Sequence, residues 1–103
     1  MKTLIIKSNH GNHTGFNRTW SIENKCDSIE EAKIKLSEIA DKIADDYGMT
    51  EKDRIDLYNG KNEALSHGLT YYSIITEEDY EWGIFDGGHM GYASQEIIDY
   101  FNN

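Results

Sequence analysis

Between Ser28 and Gly48 the chain specifies a helix together with both of its ends. Ser28 followed three residues later by Glu31 is a capping-box pair, and Gly48 stands where a C-terminal cap closes a helix. Ile29, Ala32, Leu36, Ile39, Ala40, Ile43 and Tyr47 recur between them at helical spacing and form one apolar stripe. A helix that is apolar on one side has to lay that side against something, and the flanking segments read as a sheet.

Lys2 to Ser8 reads as a strand centred on Leu4, Ile5 and Ile6. Asn9 to Gly15 is a turn-rich loop, with Gly11 and Gly15 free to take positive φ. Phe16 to Glu23 then alternates, with Phe16, Arg18, Trp20 and Ile22 on one face and Asn17, Thr19, Ser21 and Glu23 on the other. A period of two marks a half-buried strand, so residues 2–23 are expected to form a hairpin. Leu69 to Thr76 is rich in Tyr, Ile and Thr, and Tyr80 to Asp86 alternates again. These two segments predict a second hairpin turning near Glu77–Asp79. Thr50 and Asp53 can cap a second short helix, and Asn59-Gly60 and His67-Gly68 look like turns. Asp86 to Gly91 reads as a bend, after which Ser94 caps a terminal helix through Ile97, Ile98 and Phe101.

The expected fold is α+β: an antiparallel sheet of about four strands in two hairpins, covered by one long helix, with a short C-terminal helix. The 103 residues are enough for one core and too few for two, so residues 1–103 form a single domain. The apolar share of 38% and the twelve aromatics provide the surface that such a core must bury. A single cysteine, Cys26, leaves no internal disulfide, and the N-terminal MKTLIIKSNHG lacks the long apolar core of a secretory leader. These features point to a cytoplasmic protein.

Charge is distributed unevenly. All ten Lys and Arg lie at or before Lys61, beside eleven acids, a net of −1; residues 62–103 hold the other eight acids and no base, a net of −8. Glu77, Glu78, Asp79, Glu81 and Asp86 fall within ten residues of one another, interleaved with Tyr80, Trp82 and Phe85. On a strand, Glu77, Asp79 and Glu81 would share one face at a spacing of about 6.6 Å, opposite Tyr80, Trp82 and Ile84. Such a ladder offers a basic groove something like a phosphate backbone. Glu38, Asp41 and Asp45 form a second acidic row along the main helix. Asp45 and Asp46 fall in its last turn, where carboxylates oppose the macrodipole. A solubility coat is the plainer account of the same charge.

In composition the whole chain resembles small acidic phage-encoded inhibitors of host defence, of the anti-CRISPR and anti-restriction type; toxin-neutralising immunity proteins look similar. The resemblance rests on size, acidity, α+β pattern and cysteine poverty rather than on a motif. It implies a non-enzymatic viral inhibitor in the host cytoplasm that blocks the nucleic-acid site of a basic partner, such as a CRISPR effector nuclease. The residues expected to meet that partner are Glu77, Glu78, Asp79, Tyr80, Glu81, Trp82, Asp86 and Tyr92, with Glu38, Asp41 and Asp45 on the helix. Direct binding of nucleic acid is disfavoured, because phosphates would meet like charge.

Competing chemistry is thin. His10 and His13 form an H-x-x-H in an Asn/Gly loop, and His67 and His89 each adjoin a glycine. No HExxH or paired CxxC accompanies them, so no metal or cofactor is expected. Asp86-Gly87-Gly88-His89 could place a carboxylate beside an imidazole as an acid/base pair, the basis of a rival reading as a small enzyme or ligand-binding domain. Cys26 precedes the main helix, where a thiolate could be stabilised, but it also reads as a small buried residue beside the cap. Tyr71, Tyr72, Tyr80, Trp82 and Tyr92 divide between interface anchors and core.

Overall fold

The computed structural model describes residues 2–9, 19–68, 70–82 and 92–103. In chain order the elements are β1 (Thr3–Asn9), β2 (Thr19–Cys26), α1 (Ile29–Tyr47), α2 (Glu51–Ile55), β3 (Tyr58–Asn59), α3 (Gly60–Glu63), β4 (Ala64–His67), β5 (Thr70–Thr76), α4 (Glu77–Glu81), β6 (Tyr92–Ala93) and α5 (Gln95–Asn102). The strands form one sheet in the order β3-β4-β5-β1-β2-β6. Its body is four antiparallel strands, the number expected, in the order β4-β5-β1-β2, with a two-residue strand added at each edge; β4 is not among the strands expected from the sequence. β6 runs parallel to the start of β2. The fold is therefore α+β, with one long helix and a short C-terminal one.

Both ends of α1 form as its sequence dictates. The Glu31 amide donates to Ser28 Oγ at 3.1 Å, while Glu31 Oε2 reaches back to accept from the Asp27 amide at 2.8 Å. Gly48 takes the left-handed conformation, φ 61° and ψ 37°. The Met49 and Gly48 amides donate to Ala44 O and Asp45 O, so two carbonyls of the last turn are satisfied. Thr50 and Asp53 likewise cap α2 reciprocally.

The central strand is dry on both sides. Thr3, Leu4, Ile5 and Ile6 are all fully buried, because helices cover both faces of the sheet. On one face Ile5, Cys26, Leu65 and Ile74 pack with Ala32, Leu36 and Ala40 of α1 and with Leu57. On the other, Leu4, Ile6, Trp20 and Ile75 pack with Ile97 of α5, joined by Tyr80, Tyr100 and Phe101. Each large aliphatic side chain buried in this way stabilises the fold by about 1.5–3 kcal/mol relative to exposure.

β2 reaches both layers because it is bulged. Ile6 pairs with Ile22 and Ile5 with Asn24, which leaves Glu23 as an extra residue. Trp20 and Ile22 accordingly face α5, whereas Cys26, an even number of residues further on, faces α1. The outer edge of β2 is also guarded: the Ile22 amide donates to Glu96 Oε1 at 2.7 Å, and exposed Lys25 stands beyond the bulge. Bulges, lysines and satisfied donors are common protections for a strand edge.

One part of the second hairpin differs from expectation. β5 pairs with β4, the strand before it, through the turn at Gly68, whose φ of +60° suits a residue without Cβ. Residues 77–81, where the turn and the start of the second strand are expected, are instead the helix α4, and residues 83–86 of that expected strand lie outside the described residues. Among the described residues no helix is long and apolar enough to cross a membrane.

Candidate functional site

The acidic segment after β5 is helical because its first residues are arranged as a helix start. Thr76, at φ −109° and ψ 172°, is the N-cap. Its Oγ1 accepts from the Asp79 amide at 3.3 Å, and Asp79 Oδ2 accepts from the Thr76 amide at 2.9 Å. Glu77, Glu78 and Asp79 all lie in the first turn, where negative charge is favoured by about 0.3–1 kcal/mol each. Tyr80 anchors the turn by stacking on Phe101 of α5, ring centroids 4.8 Å apart. The same Thr-x-x-Asp spacing marks the start of α2, so the signal for α4 was present in the sequence.

This geometry replaces the expected ladder. On a strand, Glu77, Asp79 and Glu81 would all project from one face; on α4 they have different duties. Glu77 Oε1 accepts from the Lys2 amide at 3.0 Å, and the Glu77 amide donates to Lys2 O at 3.2 Å, which ties α4 to the start of β1. Asp79 is engaged in the cap, and its carboxylate is half-buried. Tyr80 belongs to the α5-side core. Glu78 and Glu81 are exposed, and Trp82 is 79% exposed, the most exposed large hydrophobic residue among those described. Glu77, Glu78, Glu81 and Trp82 line one shallow depression, with no Lys or Arg among the described residues of its lining. Asp86 lies outside the described residues. The backbone of Tyr92 pairs with Thr19 in the β6–β2 ladder.

The acids of α1 form a separate surface. Glu38, Asp41 and Asp45 are exposed on the helix that covers the opposite face of the sheet from α5 and Tyr80. Asp41 is partly neutralised by Arg54, whose Nε donates to Asp41 Oδ1 while Nη2 donates to Ser37 Oγ at 2.9 Å. Asp41, Asp45 and Glu51 surround Arg54 in a second shallow depression. No basic residue occupies the last turn of α1; the nearest base on the helix to Asp45 and Asp46 is Lys42, one turn earlier.

The positive groups near α4 are engaged in holding helices. Lys2 Nζ donates to Tyr100 O, a carbonyl in the last turn of α5, at 2.9 Å and to Asn103 O, just past that helix, at 2.6 Å, placing its charge at the C-terminal end of α5. That helix has no basic residue in its own last turn, and Lys2 provides the compensation from another element. Lys2 and Lys25 both stand about 5.5 Å from the Tyr100 ring centroid, on the rim of a groove shared with Glu96 and Asp99.

Neither metal nor thiol chemistry finds support in the described residues. No group of three or more His, Cys, Asp or Glu among them is arranged to hold a metal ion. His67 packs its ring against Tyr47, centroids 4.3 Å apart; His10, His13 and the Asp86–His89 bend lie outside the described residues. Cys26 is buried in β2, facing α1, and burial pushes its thiol pKa up. The Glu31 charge adds to that push, Lys35 opposes it and Asp27 adds a little more, so the thiol is held protonated.

Comparison of the chain with protein-family models, with curated proteins and with solved structures gives no match.

Proposed function

We propose that this protein is a small acidic, non-catalytic inhibitor that docks on a basic, nucleic-acid-processing partner, of the kind a CRISPR effector or restriction nuclease presents. The observation that supports this reading is the surface of α4. Glu78, Glu81 and Trp82 stand exposed around one depression, and none of these side chains holds a hydrogen bond or ion pair among the described residues. The side chain that fits best is an arginine of the partner. Its guanidinium can stack on the indole of Trp82 while its N–H groups meet the two carboxylates. Stacking of this kind is worth about 0.5–1 kcal/mol at an exposed site and about 2 or more once desolvated. The net charge of −8 over residues 62–103 would speed the encounter and orient it.

Regular phosphate spacing is no part of this proposal, because α4 presents its charge from a helical turn rather than an extended strand. The inhibitor would exclude nucleic acid by occupying cationic side chains. Glu38 and Asp45, on the other side of the sheet, are left as a steering surface at most.

A pull-down from host lysate at low salt, then eluted with salt, tests the reading directly. A basic nucleic-acid-binding protein should be retained, and it should release DNA or RNA when the inhibitor is added at stoichiometric concentration. Glu78→Lys, Glu81→Lys and Trp82→Ala together should abolish capture while leaving the circular dichroism spectrum unchanged. Capture of the same partner by the triple variant with undiminished affinity would remove α4 from the interface. Retention of nucleic acid by the partner would sink the blocking mechanism.

A further inference from the structure

We draw no further inference here: the strongest candidate, the groove between α5 and the edge of β2 where Lys2 and Lys25 converge on the Tyr100 ring, sets two carboxylates beside its two ammonium groups, and nothing in the structure shows what fills it.

Discussion

Thr76 and Asp79 satisfy each other's backbone: the Asp79 amide donates to Thr76 Oγ1 and the Thr76 amide donates to Asp79 Oδ2. This reciprocal cap ends β5 and starts α4 within one residue, and it takes the Asp79 carboxylate out of the exposed acidic set. Asp79 faces inward to the cap, Glu77 is clasped by Lys2, and Glu78 and Glu81 are left outside.

Removing either half of the cap should therefore cost stability. Thr76→Ala or Asp79→Ala is expected to destabilise the fold by about 1 kcal/mol, the usual value of an N-cap. Glu78→Gln should change stability by less than about 0.5 kcal/mol, as an exposed substitution does. Urea denaturation of the three variants distinguishes the helix from a strand ladder. A ladder would make Asp79 as dispensable as Glu78.

Glu81 occupies the unfavourable end of α4. It is the last residue of the helix, and no base in that turn offsets it. Replacing it with lysine should stabilise the fold by a few tenths of a kcal/mol, through the macrodipole and through relief of repulsion in an acidic segment. The same change should weaken partner capture. A gain in melting temperature together with loss of binding would mark Glu81 as a residue kept for function at some cost to stability. Loss of both would mean that its carboxylate has a structural partner.

Lys2 links three elements, with its backbone on Glu77 and its ammonium on carbonyls at the C-terminal end of α5. Lys2→Met keeps the stem and removes the charge. It should lower stability by about 1 kcal/mol, within the range for a cation at a helix C-terminus. Hydrogen exchange should report the loss first in the last turn of α5, while amides of α1 keep their protection. Uniform loss of protection would indicate that Lys2 supports the whole core rather than this helix end.

Cys26 makes stability depend on pH at the alkaline end. Its folded pKa is raised above the ordinary thiol value of 9.0, chiefly by burial, so above that pH the unfolded chain gives up the proton more readily than the folded one. The stability linked to this group is complete below pH 9 and falls as pH rises from there through the raised folded value. Urea midpoints between pH 7 and pH 10 should decline more steeply for the natural chain than for Cys26→Ala. At pH 7.5 a thiol reagent should label Cys26 only as fast as the chain unfolds. Rapid labelling of the folded protein would show that the thiol is accessible.

Local signals determined a good part of the structure. The Ser28–Glu31 cap, the stripe from Ile29 to Tyr47 and Gly48 define α1, and the Thr50–Asp53 pair defines α2, because helix ends are made by residues three or four positions apart. Alternation likewise put Trp20 and Ile22 on one buried face of β2. Tertiary structure decided the rest. A five-residue run such as Glu77–Glu81 fits a strand or a helix by pattern, and the packing of Tyr80 on Phe101 completes what the Thr76 cap begins. The pairing of β5 with β1 joins residues some seventy positions apart, which no local pattern encodes. The bulge at Glu23 sends Cys26 to the opposite layer from Trp20, although their spacing in a regular strand would put them on the same face. Of the acidic residues, the sequence supplied their number and sign. Which of them are left without a partner depends in part on the hydrogen bonds that Lys2 makes to Glu77 and Arg54 makes to Asp41, contacts that exist only once the distant elements have packed; the Thr76 bond to Asp79 is local.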